Sequence, residues 1–311
     1  MSKSITVAGA GLVGRGWAIV FARAGHQVTL FDVTEEKIAE ASRVIETNLA
    51  DLASYELVAN PSEIRDRIRG STDLDEAVSH AAWIQECVFE DLEVKRNLFG
   101  TLDAKAPPDA TLASSTSTFP GSEFTAGLKG RQRCLVAHPI NPPYLVPLVE
   151  IVPTPWTSPE TTALARDFMV SLRQVPIVLR REVPGFIVNR LQVALLSEAF
   201  RLVEDEVIGP IELDHAIADG LGLRWAFMGP FETIDLNAPG GIRDYVERLG
   251  QPYYEIAVEQ SHARKWHQSL VTKIEKERRS VLAADQLKER QRWRDLYLMS
   301  IVATKNLRRE V

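Results

Sequence analysis

The chain has 311 residues, of which 45% are hydrophobic and 25% are charged, and its net charge is -6 at pH 7. This composition is typical of a globular protein with one or two domains, and the negative charge argues against general affinity for nucleic acid or anionic membranes. The two cysteines, Cys87 and Cys134, lie in apolar strand-like runs without metal-ligand spacing, which indicates free thiols in a reducing compartment. We therefore expect a cytoplasmic protein with no metal site, no nucleic-acid partner and no membrane association.

A glycine motif near the N-terminus stands in the context that dinucleotide binding requires. A strand-like run from Ser4 to Ala8 precedes GAGLVG, an apolar helical segment follows it, and a second strand-like run ends on Asp32. Gly9 permits a tight turn, Gly11 lets the backbone approach a pyrophosphate, and Gly14 lets helix and strand pack closely. Asp32 is expected to accept hydrogen bonds from the adenosine ribose and to repel a 2′-phosphate, which predicts NAD over NADP. The residues predicted to bind NAD here are Gly9, Gly11, Leu12, Val13, Gly14 and Asp32.

Strand-like and helical runs then alternate. Residues 34–75 are predicted to be helical and strongly charged, and further strands are predicted over residues 82–88, 111–115, 133–137, 149–152 and 176–180. Helices are predicted around residues 17–24, 92–102, 124–128 and 161–172. This alternation predicts an α/β fold with a Rossmann-type, doubly wound parallel sheet, in which the last two strands can run in another direction at the edge.

After residue 182 the pattern becomes entirely helical. One long helix is predicted over residues 184–207, with Pro184 near its first turn and Gly209 after its end, and later helices are predicted over residues 213–219, 245–261, 266–279 and 287–307. We predict an NAD-binding domain over residues 1–182 and an all-helical domain for substrate binding and dimerisation over residues 183–311. The long helix is too apolar for a solvated surface, which favours packing within its domain or a homodimer.

The stretch from His138 to Glu150, HPINPPYLVPLVE, carries the clearest chemical pattern. Its proline-rich middle cannot be helical, and a strand-like run lies on each side, so a histidine ends one strand and a carboxylate begins the next. If the strands are neighbours, Glu150 can hold one imidazole nitrogen and leave the other free to take a proton, as a general base requires. The alternative interpretation is a strand-end histidine and a surface glutamate beside a rigid turn.

Two more polar features fall where a ligand is expected. The hydroxyl run from Ser114 to Thr118 follows a predicted strand at the carboxyl edge of the sheet, where ligands bind in open α/β folds. These hydroxyls can instead cap the following turn. Asn189 lies among apolar residues near the start of the long helix, so its amide must be hydrogen-bonded or face water.

Six segments in order, GAGLVG, Asp32, SSTS, HPINPPYLVPLVE, PGFIVNR and MGPFETIDL, resemble the 3-hydroxyacyl-CoA dehydrogenase superfamily over nearly the whole chain. Within this superfamily, the λ-crystallin branch is similar in the detailed sequence of four segments, IQECVFEDLEVK, AHPINPPYLVPLVEIVP, NRLQ and GLGLRWAFMGPFETIDLNA. The active form of that branch is L-gulonate 3-dehydrogenase. The resemblance implies a Rossmann domain, a helical dimerising domain and NAD-dependent oxidation of a 3-hydroxyl to a ketone.

The resemblance also implies catalytic roles. His138 matches the catalytic base, Glu150 the carboxylate that orients it, and Ser117 and Asn189 the groups that hydrogen-bond the reacting oxygen. These roles fit the reaction, because oxidation removes a proton from oxygen and a hydride from carbon, and the site therefore needs a base and donors for the developing charge.

Other positions are matched in the same way. Glu90 and Lys95 match residues near the nicotinamide ribose, and Asn141 follows the catalytic histidine as a residue that binds substrate in relatives. Ser115 is a departure, because relatives that use thioesters commonly have asparagine there, and it leaves the local oxyanion geometry open.

The substrate is either a free hydroxy acid or a short-chain acyl-CoA. Residues 35–76 contain 11 acidic residues against 5 basic ones, whereas CoA-using relatives are lysine-rich here, which favours the free acid. Arg224, with Arg190 or Arg243, is the hypothesised partner of the substrate carboxylate, and the alternative is a surface arginine. A non-enzymatic, NAD-binding structural protein is the third possibility, although the intact catalytic set favours an enzyme.

Overall fold

The computed structural model describes residues 2–309, and the chain forms two compact units. The first unit comprises Met1–Asn189 and Gln291–Val311, and the second comprises Arg190–Arg290. Met1, Glu310 and Val311, which the predicted domains include, lie outside the described residues.

The first unit is built on an eight-stranded sheet. The strands are β1 Ser4–Ala8, β2 Gln27–Phe31, β3 Ile68–Ser71, β4 Trp83–Glu86, β5 Thr111–Ser114, β6 Cys134–Pro139, β7 Leu148–Pro153 and β8 Val175–Val178. Their order across the sheet is β3-β2-β1-β4-β5-β6-β7-β8. All neighbours from β3 to β6 are parallel, β7 runs antiparallel to β6, and β8 runs parallel to β7. The predicted doubly wound sheet is confirmed, including the change of direction near its edge.

Helices cover both faces of this sheet, as the crossover connections of parallel strands require. They are α1 Leu12–Arg23, α2 Glu35–Ser54, α3 Pro61–Asp66, α4 Leu74–Val78, α5 Leu92–Lys105, α6 Ser122–Thr125 and α7 Pro159–Ser171. The core lies around α1, where Trp17, Ile19 and Phe21 are fully buried. α2 buries a single apolar stripe at helical spacing, consisting of Ile38, Ala41, Ile45, Leu49 and Leu52.

Every regular element within residues 190–290 is helical, which confirms the predicted helical C-terminal region. The helices from here to the C-terminus are α8 Val188–Glu204, α9 Pro210–His215, α10 Gly222–Trp225, α11 Pro230–Asp235, α12 Gly241–Glu259, α13 Gln268–Val281 and α14 Leu287–Arg309. A buried arginine binds the carbonyl groups at the C-terminal end of α12. The Arg201 guanidinium donates to the carbonyl oxygens of Glu259, Gln260 and His262 at 2.8 to 3.0 Å. No described helix is long and apolar enough to cross a bilayer.

The prediction that residues 34–75 are helical throughout is wrong, because β3 interrupts them. This strand reads IRGS, and only Ile68 of its four residues is buried, since β3 lies at the edge of the sheet. It therefore shows neither the alternation of apolar and polar residues nor the continuous apolar run that identifies a strand. Gly70 is needed here because a Cβ would lie 2.1 Å from the Ile38 side chain on α2.

The predicted long helix begins later than expected, at Val188 rather than near Pro184. Gly185 has a φ of 73° and Phe186 a φ of 50°, both in the left-handed region, so the backbone cannot be helical there. The Phe186 ring is fully buried, and its centroid lies 5.6 Å from that of His138.

The two units also differ from the predicted domains of residues 1–182 and 183–311. The first unit extends to Asn189 and takes up the chain again from Gln291. Met299 on α14 is 1% exposed and belongs to the same apolar cluster as α1 and the sheet. The part of α14 around Met299 therefore packs in the core of the first unit, which the helical pattern of α14 alone does not indicate.

Candidate active site

The turn between β1 and α1 has the shape that a dinucleotide pyrophosphate needs. Gly9 has a φ of +114°, and a Cβ there would lie 2.4 Å from the carbonyl oxygen of Cys87. A Cβ at Gly14 would lie 1.8 Å from the Gly9 oxygen, so only glycine lets α1 pack this closely on β1. At Gly11 a Cβ would meet no described atom within 4 Å, which leaves open space above the turn. The first N–H groups of α1 receive no side-chain cap and are free to bind phosphate oxygens.

Asp32, directly after β2, has a fixed carboxylate. Its Oδ2 accepts from the Ala10 N–H at 2.8 Å, and its Oδ1 accepts from the Val33 N–H at 2.8 Å. Lys37 Nζ lies 3.2 Å from the same Oδ1. An acceptor held at the end of the second strand fits the ribose hydroxyls of a dinucleotide bound on the glycine turn.

His138 and Glu150 face each other across β6 and β7. The antiparallel register pairs them directly, and Nδ1 lies 2.7 Å from Oε2. Because an ionised carboxylate can only accept, Nδ1 carries the proton and the neutral ring keeps a lone pair on Nε2. Within residues 2–309, Nε2 makes no hydrogen bond. The ring is therefore oriented by one nitrogen and able to take a proton on the other.

The Glu150 carboxylate is fully buried and held by three donors. Besides bonding His138, it accepts at Oε1 from the Ile187 N–H at 2.7 Å and the Val188 N–H at 3.1 Å, which lie at the start of α8. Burial by itself raises the pKa of Glu150, but the hydrogen bonds from His138 and the two N–H groups outweigh burial and hold that pKa below its usual range. Glu150 is therefore ionised at neutral pH.

Ser117 and Asn189 are in direct contact. Asn189 Nδ2 donates to the Ser117 carbonyl oxygen at 2.7 Å, and the N–H of Ser117 donates to Glu90 Oε1 at 3.1 Å. Glu90 Oε1 also accepts from the N–H of Thr118 at 3.3 Å and from its hydroxyl at 3.0 Å. The Ser117 hydroxyl makes no hydrogen bond to any described residue and is partly exposed. It is therefore free to bond a ligand.

The start of α8 connects these two groups. The N–H groups of Ile187 and Val188 bond Glu150, while the side chain of the next residue, Asn189, bonds Ser117. Contacts made by three consecutive residues thus link His138, Glu150 and Asn189 with the backbone of Ser117.

Lys95 is 1% exposed, and its ammonium is held between two carboxylates. Nζ lies 2.9 Å from Glu86 Oε1 and 3.0 Å from Glu90 Oε2. Burial lowers the pKa of Lys95, but the two carboxylates outweigh burial and raise that pKa above its usual range. Burial raises the pKa of Glu86 against the opposing effects of Lys95 and Ser114. The sequence interpretation missed Glu86, although a charged residue that ends an apolar strand was a usable signal.

Ser115 and Asn141 differ in how their polar groups are used. The Ser115 hydroxyl accepts from Trp17 Nε1 at 3.1 Å and Gln85 Nε2 at 2.7 Å, and it lies 3.2 Å from the Cys87 sulfur. Its hydrogen-bonding capacity is therefore used inside the protein. Asn141 Oδ1 is buried and has no hydrogen-bond partner among the described residues.

Arg224 lies in the second unit, on α10, and its side chain is exposed. The predicted partners Arg190 and Arg243 are also exposed residues of the second unit.

The Rossmann sheet, the glycine turn with Asp32, and the edge that carries His138, Ser117 and Asn189 define an NAD-dependent oxidoreductase that acts on CH–OH groups. The family model described as 3-hydroxyacyl-CoA dehydrogenase, NAD binding domain, matches residues 4–183, and the model of the C-terminal domain of the same enzyme matches residues 185–281. The chain belongs to the 3-hydroxyacyl-CoA dehydrogenase family.

Several known proteins are similar over most of the chain. A lambda-crystallin homolog of Bos taurus is 42% identical over 97% of this chain and 95% of its own length. An L-carnitine dehydrogenase of Streptomyces griseus is 37% identical over 80% of this chain and 74% of its own. The crystal structure of 5-formyl-3-hydroxy-2-methylpyridine 4-carboxylic acid 5-dehydrogenase, an NAD+ dependent dismutase, has a TM-score of 0.83 at 27% identity and covers 99% of this chain and 98% of its own.

Proposed function

We propose that this protein oxidises the 3-hydroxyl of a small free hydroxy acid, such as L-gulonate, to the 3-keto acid, with NAD as the oxidant. The observation that carries the proposal is the buried pair of His138 and Glu150, in which Nδ1 is hydrogen-bonded at 2.7 Å and Nε2 is left free. The same network contains Ser117 and Asn189, which can donate to the reacting oxygen.

In this reaction the hydroxyl proton passes to His138 Nε2 as the C–O bond becomes a carbonyl. Glu150 stabilises the resulting imidazolium, because its ionised carboxylate is already bonded to Nδ1. The Ser117 hydroxyl and the Asn189 amide hold the reacting oxygen. Bound NAD supplies the acceptor for the hydride that leaves carbon 3 with the electrons of the C–H bond.

The basic residues near α3 support a free acid over a CoA thioester. Each of the three arginines is paired with a carboxylate: Arg65 with Glu46 at 3.0 Å, Arg67 with Glu63 at 3.6 Å and Arg69 with Glu76 at 2.7 Å. CoA phosphates need unpaired cations, and these arginines would first have to break their ion pairs.

Two similar proteins support the same choice through their names. One is named for L-carnitine and the other for a pyridine carboxylic acid. Both names denote free carboxylates without a CoA group. The alternatives are a short-chain L-3-hydroxyacyl-CoA substrate, which the family name favours, and a structural role without turnover, which the name of the crystallin homolog suggests.

The reaction is tested by following NADH formation with L-gulonate, small L-3-hydroxy acids and a short-chain L-3-hydroxyacyl-CoA side by side. We expect the free acids to turn over faster, with His138→Ala lowering kcat by about 10² to 10⁴-fold. Faster turnover of the thioester would reverse the choice of substrate. NAD binding without turnover of any substrate would instead support the structural role.

The proposed substrate carboxylate needs a cation, and Arg224 is the residue to test. Arg224→Met should raise KM for the hydroxy acid by at least about tenfold, because a charge-assisted hydrogen bond contributes roughly 1.5 to 3 kcal/mol. Arg248→Met is the matched control, since Arg248 is a surface residue of the same unit that pairs with Asp244. Equal KM values for the two variants would show that Arg224 does not bind the carboxylate.

We further propose that the protein is a cytoplasmic homodimer. Cys87 and Cys134 are free thiols, which supports a reducing compartment. Apolar side chains stand exposed along the second unit, among them Leu191, Trp225, Phe227 and Phe231. Such a surface supports association with a second copy.

A further inference from the structure

A closed ring of hydrogen bonds lies beside Ser117 and has no part in the proposed proton transfer. Lys95 Nζ is bonded to Glu86 at 2.9 Å and to Glu90 at 3.0 Å. The Ser114 hydroxyl donates to Glu86 and accepts from the Thr116 N–H at 3.1 Å. The Thr116 hydroxyl donates to Glu90, which closes the ring. These five residues are called the Lys95 ring.

The Lys95 ring joins three elements inside the first unit. Glu86 ends β4, Ser114 ends β5, and Lys95 lies on α5 between those strands. Glu86 and Ser114 are fully buried, and Lys95 and Thr116 are each 1% exposed. A buried polar network with every member bonded is rigid, because breaking one bond leaves a polar group unsatisfied in a medium of low dielectric constant.

Glu90 transmits this rigidity to the candidate active site. It is the most exposed member of the ring, with 35% of its side chain accessible. The oxygen that accepts from Thr116 also accepts from the N–H groups of Ser117 and Thr118. Ser117 in turn receives the Asn189 amide on its carbonyl oxygen.

We propose that Lys95 and Thr116 are positioning residues that act through Glu90 to hold Ser117 and Asn189 in place for the reacting oxygen. This inference rests on the proposed function. It adds a positioning role to the place near the nicotinamide ribose that the family resemblance implies for Lys95, because its ammonium is bonded to both Glu86 and Glu90. A donor displaced by a fraction of an ångström loses much of its effect on the transition state.

Thr116→Val tests the ring because it removes one hydroxyl and preserves the side-chain shape. The hydroxyl donates to Glu90 and accepts from the Phe119 N–H at 3.1 Å. We expect kcat/KM for the hydroxy acid to fall at least about fivefold, and KM for NAD to rise by a smaller factor, because Glu90 also matches a residue near the nicotinamide ribose. Thr116→Ser, which keeps the hydroxyl, should restore most of the activity.

Thr125→Val is the matched control for general loss of stability. Thr125 is also 1% exposed, and its hydroxyl donates to the Gly121 carbonyl oxygen at 2.7 Å and accepts from Trp156 Nε1 at 3.1 Å. It lies outside the Lys95 ring. This variant should lose stability as Thr116→Val does, with kcat/KM unchanged. If both variants lose activity equally, the positioning role is wrong.

A double-mutant cycle separates positioning from an independent effect. In a Ser117→Ala background, Thr116→Val should lower kcat/KM by a smaller factor than it does in the wild type, because one of the two groups that it positions, the Ser117 hydroxyl, is already missing. Fully additive losses would overturn the inference. Amide hydrogen exchange gives a readout without turnover: the N–H groups of Ser117 and Thr118 should exchange faster in Thr116→Val and not in Thr125→Val.

The two proposals fail in different ways. If His138→Ala retains wild-type turnover, the proposed function is wrong, and the exchange rates still decide whether the ring orders the turn. If His138→Ala is inactive while Thr116→Val matches the wild type in kcat/KM and in exchange, only the positioning role is wrong.

Discussion

At the scale of single residues, Glu150 binds both the His138 ring and the start of α8. One oxygen orients His138, and the other accepts the first N–H groups of α8, where a helix favours a negative charge. A neutral amide at this position would keep the shape but would remove the charge that both partners require. Loss of the charge should therefore affect turnover and stability together.

Glu150→Gln should lower kcat on the order of 10²-fold and destabilise the fold by about 1 to 3 kcal/mol at neutral pH. Because the pKa of Glu150 is depressed in the folded state, its contribution is complete above the unfolded pKa of about 4.3 and is lost as pH falls through the lower folded value. The difference in free energy of unfolding between wild type and variant should therefore shrink below about pH 4.3. Urea unfolding between pH 3 and pH 7 measures this difference, and a constant difference would contradict the prediction.

Asp32 and Lys37 make a second prediction at this scale, on the choice of cofactor. Lys37 Nζ lies 3.2 Å from Asp32 Oδ1, so removal of the carboxylate frees an ammonium close to where a 2′-phosphate would lie. Asp32→Ser should raise KM for NAD and lower KM for NADP, each by about tenfold. Initial rates with both cofactors measure the change. The double variant Asp32→Ser, Lys37→Gln should lose the gain with NADP, and if it does not, Lys37 has no part in the switch.

At the scale of elements, the glycine turn depends on contact between α1 and β1. A methyl group at Gly14 would lie 1.8 Å from the Gly9 oxygen, whereas one at Gly100 on α5 would meet no described atom within 4 Å. Gly14→Ala should destabilise the protein by about 1 to 3 kcal/mol and weaken NAD binding, because α1 must move. Gly100→Ala is the control and should stabilise the protein by about 0.5 to 1 kcal/mol. Thermal unfolding with and without NAD compares the two variants.

Elements with strong periodicity were predictable from the sequence, and elements defined by long-range contacts were not. β1 was predicted with its observed bounds, Ser4–Ala8, because its apolar run is followed directly by the glycine motif. β3 was missed because an edge strand of four residues has no hydrophobic period of its own. The start of α8 was misplaced because the left-handed turn at Gly185 and Phe186 depends on burial of the phenylalanine ring.

In the candidate site, too, local sequence features were predictable and contacts between distant elements were not. The sequence predicted a strand on each side of the proline-rich turn and left open whether they are neighbours, and the observed register pairs His138 and Glu150 directly. Glu86 could not be found by spacing to a partner, because Lys95 reaches it from the next helix and Ser114 from the next strand. A charged residue at the end of an apolar strand was a signal for Glu86 alone, whereas its pairing with Lys95 and Ser114 depends on the fold.

At the scale of the whole molecule, the described part of α14 belongs to the same unit as β1 and α1. α14 returns to the first unit, and Met299 packs in the cluster that surrounds α1. Arg292 also donates to Asp51 on α2 at 2.9 Å. The first unit is therefore completed by residues that follow the second unit in sequence, so the two units cannot be separated by a single cut without exposing apolar core.

The exposed apolar side chains of the second unit lead to the prediction on assembly. On α8, Leu191 is 64% exposed and Leu195 is 38% exposed, one helical turn apart on the same face.

If a second copy covers this face, wild-type protein should sediment as a dimer, and Leu191→Glu should shift it towards monomer because a buried unpaired charge is costly. Val170→Glu, at a residue 56% exposed on α7 of the first unit, is the control and should remain dimeric. Sedimentation velocity over a dilution series measures the shift. A wild-type monomer at all concentrations would show that some other partner, or none, covers this apolar surface.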